Sequence, residues 1–353
     1  MTSFPLLKLP LLALNRVLQE AKPLDLINLS KLSRTTKFLV KHARSFYINI
    51  NESETNSISL KTTDSKYWDD SSTGYGVLLD IFIDEKVSCE KISNYFYLKD
   101  QVVPVYIECE PYFEMSYNHE AFEGKLDCYC QLLTLIFDTF TIKFVSFDIF
   151  AWSTKFSLGI MKHVKQLVSQ YQKKSKVQCV KIWTTEELPL TSRQLSYILD
   201  NTRNAFHLIF YNAAPQNFRY DKRLSPKNEC YIQEAPWLRF GDLSLLMVCC
   251  KKVTLLNMEL TSEEIHLFLK EWMRTTVTHL LDLHVKDIDL DVAMTGVPVV
   301  EDAKELKSMR DGGYDYKIMP WEKCFKIIRN DGKVSHIWSS GGDFYMQTVD
   351  VWN

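Results

Sequence analysis

The sequence predicts a mixed α+β and α/β fold: three N-terminal helices, then a β-rich segment, then an irregular leucine-rich-repeat-like arc of strands and helices. Apolar residues recur at helical spacing through residues 1–45. Runs rich in β-branched and aromatic residues fill 46–140, separated by Ser, Asn, Asp and Gly. From 141 to 353, strand-like runs alternate with amphipathic helical patterns. These three ranges are the expected domains.

The composition is that of a folded chain without a strong charge preference. Of its 353 residues, 46% are hydrophobic and 24% are charged, which is too apolar for a disordered chain. A formal net charge of −2 provides no overall field that would favour nucleic acid or an anionic membrane. The nine cysteines lie mostly inside apolar runs, as free thiols do in a reducing compartment. Lys8 and two prolines interrupt the apolar start, and no run reaches the ~18–20 apolar residues of a membrane span. We expect a protein of the cytoplasm or nucleus.

The first region is predicted to form three short helices. Pro10 suits the first position of a helix, where its missing N–H costs nothing. Pro23 opens the second helix, Asp25 complements the helix dipole in its first turn, and Ser33 can cap the third. The apolar stripes contain Leu11, Leu14, Val17 and Leu18 in the first helix, Leu26, Leu29 and Leu32 in the second, and the inward-facing Phe38 and Leu39 in the third.

This helical module carries more apolar residues than one buried stripe requires. The dense stretch is Phe4, Leu6, Leu7, Leu9, Leu11, Leu12, Leu14, Val17 and Leu18. Three short helices of roughly 45 residues bury too little area to be stable alone. Either a partner's helices cover the remaining apolar face, or that face packs on the chain's own β-rich region. The composition leaves both possibilities open.

The second region is predicted to contain strands in the runs SFYINI, NSISLKT, GVLLDIFID and QVVPVYIECE. A helix over roughly 119–139 closes it. In the third region, the segments EELPLTSRQLSYIL and NMELTSEEIHLFL resemble diverged copies of one strand–loop–helix unit. Each copy contains a capping box, Thr191 with Gln194 and Thr261 with Glu264.

Such units bury their apolar faces by stacking into a parallel-stranded arc, as leucine-rich-repeat-like solenoids do. An open Rossmann-like sheet is the alternative, although no strand-to-helix turn carries a glycine-rich phosphate loop. Residues 212–236 interrupt the alternation as a long insertion. The last segment is predicted to form strands joined by turns at Asp331-Gly332 and Gly341-Gly342.

Signals of catalysis are scarce, so we expect no enzyme, no cofactor and no metal. The sequence lacks GxSxG, P-loop and HExxH motifs and any zinc-spaced CxxC pair. Cys128 and Cys130 point about 200° apart on a helix and cannot easily hold one metal. His279 and His284 fall on opposite faces of a strand. An enzyme built around an unrecognised Cys or His remains a separate hypothesis.

At the N-terminus, FPLLKLPLLALNRVLQEAKPLDLINLSKLSRTTKFLV resembles an F-box. The resemblance is carried by the Leu9-Pro10 start, the Val17-Leu18 pair, Pro23 with Leu26, and the segment 30–33 before a basic and apolar third helix. The remainder resembles the F-box-associated (type 2) domain of the expanded nematode-type F-box family, most clearly in LTSEEIHLFLKEWM, HLLDLHV and RNDGKVSHIW.

The resemblance implies the substrate-recognition adaptor of a Skp–cullin–F-box type ubiquitin ligase. The N-terminal helices would dock on a Skp-family linker protein, the linker would bridge to a cullin complex, and the C-terminal domain would bind a target protein of unknown identity. By matching position, the residues implied to face or support the linker are Leu9, Pro10, Leu14, Val17, Leu18, Leu26 and Leu29. A protein-interaction scaffold that uses the linker without a cullin is the alternative.

Overall fold

The fold is described by a computed structural model over most of the chain. The described residues are 9–21, 23–43, 45–51, 57–62, 77–82, 94–98, 101–108, 114–117, 125–150, 154–171, 176–184, 190–211, 214–215, 217–278, 280–302, 310–311, 314–315 and 323–349. The chain divides into two compact units, residues 1–178 and 179–353. Each unit is treated by itself below.

The first unit begins with the three predicted helices, α1 (Leu11–Glu20), α2 (Pro23–Ser30) and α3 (Arg34–Ala43). Pro10 is the residue before α1 rather than its first residue, and its carbonyl accepts the bond from the Leu14 N–H. Ser33 caps α3 as predicted, because its hydroxyl accepts the Thr36 N–H at 3.1 Å. The Thr36 hydroxyl in turn accepts the Ser33 N–H at 3.0 Å. This reciprocal pair fixes the start of α3.

The remainder of the first unit is a sheet with two helices. Its elements are β1 (Ser45–Asn51), β2 (Ser57–Thr62), β3 (Val77–Phe82), β4 (Asn94–Leu98), β5 (Gln101–Glu108), β6 (Glu114–Tyr117), α4 (Lys125–Thr139), β7 (Thr141–Phe150) and α5 (Thr154–Tyr171). The strand order is β7-β1-β2-β3-β6-β5-β4. The four predicted runs became β1, β2, β3 and β5. The strands β4 and β6 were not predicted, and the first residues of the predicted 119–139 helix lie outside the described residues.

The core of this unit is organised around the parallel pair β1 and β7. Ser45 pairs with Thr141 and Asn51 with Asp148, so residues far apart in the chain become neighbours. Phe46, Ile48 and Ile50 alternate along β1 and are fully buried, and the Phe46 ring lies 4.6 Å from that of Phe140. Because β1 follows α3 directly, this pairing brings the helical module next to α4.

The second unit is a sheet whose first strands are parallel. Its elements are β8 (Lys176–Trp183, which starts just before the unit), α6 (Ser192–Thr202), β9 (His207–Tyr211), β10 (Glu229–Ile232), α7 (Phe240–Cys249), β11 (Lys252–Met258), α8 (Ser262–Trp272), β12 (Leu280–Val285), α9 (Leu290–Ala293), β13 (Glu301–Asp302), β14 (Arg310–Asp311), β15 (Tyr314–Asp315), β16 (Lys323–Ile328), β17 (Val334–Ser340) and β18 (Asp343–Val349). The strand order is β8-β9-β10-β11-β12-β18-β17-β16-β13, and β14 pairs with β15 separately.

The predicted insertion at 212–236 requires a correction, because it contains β10. This strand lies parallel between β9 and β11, with Cys230 opposite Leu208 on one side and Val253 on the other. Cys230 and Ile232 are fully buried. A four-residue strand between prolines is too short for its sequence pattern to distinguish it from a loop. Its pairing with β9 and β11 identifies it as a strand.

The predicted capping boxes and late turns are confirmed. Thr191 and Gln194 begin α6, and Thr261 and Glu264 begin α8, each with both reciprocal bonds present. Gly332 has a φ of +88° in the turn between β16 and β17, a conformation that favours glycine. Gly341 and Gly342, with φ of +62° and +85°, form the turn between β17 and β18.

The order of the parallel strands favours a repeat-like arrangement without establishing one. From β8 to β12 each strand is added on the same side of its predecessor, without the reversal that marks a doubly wound sheet. Parallel crossovers are right-handed, so α6, α7 and α8 lie on one face of this run. However, β18, β17 and β16 continue the sheet in antiparallel fashion. The alternation predicted for 141–353 therefore ends at β12, and a leucine-rich-repeat-like arc is not confirmed.

Candidate docking surface

The helical module has a small core of its own. Leu14 and Leu18 of α1 are 5% and 1% exposed, and Leu26 of α2 is 1% exposed. From α3, Val40 is also buried, and α1 and α2 each pack against α3. These side chains hold the three helices together, so Leu14, Leu18 and Leu26 of the predicted linker set lie in the core of the module.

A second group of apolar side chains in the module faces solvent. We call it the exposed apolar set: Leu11 (64% exposed), Leu12 (85%), Val17 (44%), Leu32 (74%) and Phe38 (62%). Leu11, Leu12 and Val17, which belong to the dense apolar stretch, are therefore not covered by the described part of the chain. Of the remaining predicted linker-facing residues, Pro10 is exposed, and Leu9 and Leu29 are half-buried.

Two residues expected to face inward are among those exposed. Leu32 follows the end of α2 at Ser30 and lies in a turn, where the helical stripe no longer applies. Phe38 lies on the solvent side of α3, its ring 4.2 Å from that of His42, whereas Thr36, Val40 and Ala43 face the core. The i, i+4, i+7 spacing of these three small or branched residues was the signal that could have identified the inward face.

Direct side-chain contacts join the helical module to α4 of the first unit. Lys37 of α3 forms an ion pair with Asp138 near the end of α4. The Lys41 ammonium donates to the carbonyls of Phe137 and Asp138, both at 3.5 Å. In return, the Thr141 hydroxyl donates to the Lys41 carbonyl at 2.6 Å. The C-terminal ends of α3 and α4 thus satisfy each other's terminal carbonyls.

The joint between α3 and α4 contains a lysine, Lys41, whose pKa is changed by the groups around it. Burial lowers the pKa of Lys41, with nearby Lys37 acting in the same direction and Asp138 opposing it. A lysine beside helix C-terminal carbonyls also complements the negative end of the dipole. The joint therefore holds α3 of the helical module against α4 through an ion pair and through hydrogen bonds to backbone carbonyls.

Three of the described thiols, those of Cys130, Cys230 and Cys250, are poorly suited to nucleophilic chemistry. Burial raises the pKa of the Cys130 thiol to about 11 and that of the Cys250 thiol to about 12. Burial likewise raises the pKa of Cys230 well above its usual value. The thiolate is the reactive form, so these three cysteines are protonated and unreactive near neutral pH. The side chain of Cys128 and the whole of His279 lie outside the described residues.

Within the described ranges, no group of three or more His, Cys, Asp or Glu side chains could hold a metal ion. No helix in the described part of the chain is long and apolar enough to cross a membrane. Exposed apolar side chains that lie near one another on a surface are typical of protein–protein contact sites, which makes the exposed apolar set a candidate docking surface.

Comparison with known protein families decides the nature of the helical module. Residues 6–47 match the family model of the F-box domain, and residues 210–285 match the F-box-associated model. The chain carries an F-box and an F-box-associated domain. The F-box match contains α1 to α3 and therefore the whole exposed apolar set. The F-box-associated match runs from the end of β9 to the end of β12, across the parallel part of the second unit.

One relative extends over nearly the whole chain. The Skn-1 dependent zygotic transcript 15 protein of Caenorhabditis elegans is 27% identical over 375 residues, which covers 99% of this chain and 97% of the relative. No solved structure matches the chain. The two family models agree with the sequence resemblance at the N-terminus and in LTSEEIHLFLKEWM and HLLDLHV, whereas RNDGKVSHIW lies outside the F-box-associated match. Both families are interaction domains rather than catalytic ones.

Proposed function

We propose that this chain is the substrate-recognition adaptor of a Skp–cullin–F-box type ubiquitin ligase. Its F-box would dock on a Skp-family linker protein in the cytoplasm or nucleus, and the linker would join it to a cullin complex. The region 141–353 would bind the target protein as a repeat-like α/β domain, with 46–140 connecting it to the F-box at 1–45. The exposed apolar set is the observation that carries this proposal.

The five side chains of the exposed apolar set are 44–85% exposed in the isolated chain. Each Leu, Val or Phe contributes about 1.5–3 kcal/mol when a partner fully buries it, before ordering costs. The contacting group would be the exposed apolar set with Leu9 and Pro10. Leu14, Leu18, Leu26 and Leu29 would support this surface from within. The predicted linker-binding residues thus divide into a contacting group and a supporting group.

The proposed mechanism is approximation. A receptor that holds a target near a charged ubiquitin-conjugating enzyme raises the effective concentration of its lysines, while other subunits carry the reactive thioesters. The joint between α3 and α4 supports this role, because it attaches the F-box helices to the rest of the first unit through defined contacts.

The docking surface is tested by substituting residues that the chain does not need for its own core. Replacing Leu11 and Leu12 together with Ala should weaken binding to a Skp-family linker by about 10- to 100-fold, or about 1.4–2.8 kcal/mol. Isothermal titration with the purified full chain measures the change. Leu9→Ala with Pro10→Ala should weaken binding in the same direction.

The matched control is Val248→Ala, which truncates an aliphatic side chain of comparable exposure (54%) in the second unit. Its linker affinity should equal that of the wild type. Unchanged affinity in the Leu11/Leu12 double variant would contradict docking through this surface. Linker binding without cullin recruitment or ubiquitin transfer in a reconstituted system would instead favour the cullin-independent scaffold.

A further inference from the structure

We propose that one face of the second unit's sheet, the face opposite α6, α7 and α8, binds a target segment whose contacting side chains are apolar and uncharged. This inference rests on the proposed function and names the surface that recognises the target. The burial pattern, the aromatic side chains and the charge pairing of that face support the proposal.

The strands β9, β10, β12 and β17 alternate between buried and half-buried residues. In β11 the residues 253–255 are all buried, so the alternation is interrupted at Thr254. Along β9 the buried residues are Leu208 and Phe210, and along β12 they are Leu281, Leu283 and Val285. We call the other side the half-exposed face; it contains the residues of β8 to β12 and β16 to β18 that lie on the same side of the sheet as Lys181, Ile209, Tyr231, Asp282, Trp338 and Tyr345. Parallel sheets are normally covered by other elements on both faces. A parallel run with one half-exposed face is the arrangement that solenoid proteins use for binding.

Aromatic side chains are concentrated on the half-exposed face. Trp183 of β8 stacks on Tyr211 of β9, with ring centroids 3.8 Å apart. At the other end of the unit, the Tyr345 ring lies between His284 at 4.4 Å and Trp338 at 5.4 Å, all nearly parallel. Trp and Tyr are the residues most enriched at the energetic centres of protein interfaces. Their stacking also holds the rings in place before a partner binds, which lowers the entropy cost of binding.

The charges of this face are largely compensated within it. The Glu229 carboxylate bonds to His207 at 3.0 Å and to Lys252 at 3.4 Å, and the bond from His207 is the main reason that the pKa of Glu229 is lowered. The Asp343 carboxylate accepts bonds from His284 at 2.9 Å and from the Asp287 N–H at 3.2 Å. These carboxylates have little left to offer a cationic partner.

The cationic side chains of the half-exposed face are dispersed. Lys181 lies on β8, Lys252 on β11 and Lys326 on β16, and at least two strands separate each from the next. Neighbouring strands are about 4.8 Å apart, so these ammonium groups cannot converge on one phosphate. Burial lowers the pKa of His336, which keeps that imidazole neutral near pH 7. Charge complementarity therefore favours an uncharged, apolar segment over a phosphorylated or strongly acidic one.

The exposed apolar residues on the helical side of the unit are a weaker candidate. Val248, Leu267 and Val292 are 54%, 50% and 38% exposed, but they lie singly on α7, α8 and α9. Single exposed apolar residues are ordinary on protein surfaces. They serve here as controls.

The test selects ligands from a phage-displayed library of random 16-residue peptides with the purified full chain. The selected peptides should be rich in aromatic and aliphatic residues and carry little net charge. Ile209→Lys places a charge on the half-exposed face and should weaken binding of these peptides at least about tenfold. Leu267→Lys makes the same kind of change on α8 and should alter affinity less than about twofold. Gln347→Lys provides a second face variant that removes no apolar side chain.

Selection of acidic or phosphate-mimicking peptides, or no enrichment at all, would overturn the proposal. The proposal would also be overturned if the selected peptides bound Ile209→Lys and Gln347→Lys with wild-type affinity. Each variant must retain the wild-type melting temperature for this comparison. Linker affinity is measured in parallel on the same proteins. The Leu11/Leu12 variant should lose the linker and keep the peptides, so failure of the docking function and failure of this surface give different results.

Discussion

Arg329 is a charged side chain held entirely out of solvent in the second unit. Its guanidinium donates to both carboxylate oxygens of Asp331, at 2.8 and 2.7 Å, and to the Thr278 carbonyl at 2.8 Å. It also lies over the Trp272 ring, 5.2 Å from the centroid. A planar fork of donors suits this arrangement, whereas a lysine would supply a single point charge. Nothing in the sequence around Arg329 indicated burial, because two of its partners, Trp272 and Thr278, lie far away along the chain.

Replacing Arg329 with Ala should lower the free energy of unfolding by about 2–4 kcal/mol. The Thr278 carbonyl would lose its hydrogen-bond donor, and the Trp272 ring would lose the guanidinium that packs over it. Arg329→Lys should recover only part of this loss. Urea unfolding followed by tryptophan fluorescence measures both variants. Arg193→Ala, which removes an exposed arginine from α6, should change stability by less than about 0.5 kcal/mol. If Arg329→Ala were as stable as Arg193→Ala, the contacts of Arg329 with Asp331, Thr278 and Trp272 would not stabilise the unit.

The residues of the F-box likewise divide into those whose burial the local sequence indicated and those whose burial it did not. Spacing alone placed Leu14 and Leu18 on one apolar stripe with Leu11 and Val17, and the structure buries only Leu14 and Leu18. Spacing also placed Leu32 and Phe38 inward, where the structure exposes them. Their orientation depends on where α2 ends and on which side of α3 meets the other helices, and neither is a property of one helix.

Elements with local signals were predicted well. The capping boxes at Thr191 and Thr261, the cap at Ser33, and the glycine turns between the last strands depend on residues within three positions of one another. Elements defined by their neighbours were predicted poorly: β4, β6 and β10 are short, and their strand pairing distinguishes them from loops. The domain boundaries expected at 45 and 140 remain predictions.

The capping box of α8 provides a test at the scale of an element. Thr261→Ala removes the hydroxyl that accepts the Glu264 N–H at 3.2 Å and should destabilise the chain by about 1 kcal/mol. Thr261→Ser keeps the acceptor and should retain most of the stability. The comparison is made by thermal unfolding monitored by circular dichroism. A Thr261→Ser variant as unstable as Thr261→Ala would show that packing of the threonine methyl group, and not capping, is responsible.

At the scale of the whole molecule, each unit contains a histidine that folding keeps neutral. Burial lowers the pKa of His163 in the first unit, although hydrogen bonding to the Cys130 carbonyl and the charge of Asp127 oppose this. Burial also lowers the pKa of His336 in the second unit, with Lys326 acting in the same direction. In both cases the unfolded chain binds the proton more readily than the folded chain.

A folded-state pKa below the unfolded value means that these histidines stabilise the fold above about pH 6.5, the ordinary value for histidine. This stability should be lost as the pH falls through the depressed folded-state pKa. Denaturant unfolding between pH 8 and pH 5 should therefore show decreasing stability, and the double variant His163→Gln with His336→Gln should show a shallower decrease. Parallel pH profiles for the variant and the wild type would contradict this assignment.

The sequence by itself determined the helices of the F-box, their caps, the strand–helix alternation of the second unit, and the resemblance that the family models bear out. These follow from hydrogen bonds and side-chain periodicity within a few residues, which are written into any short stretch of chain. The tertiary structure decided which apolar side chains of the F-box remain in solvent, how β1 pairs with β7, where β10 inserts, and which face of the second sheet stays half-exposed. Those outcomes depend on register and packing between segments far apart in sequence, where small differences in buried area select one arrangement from many.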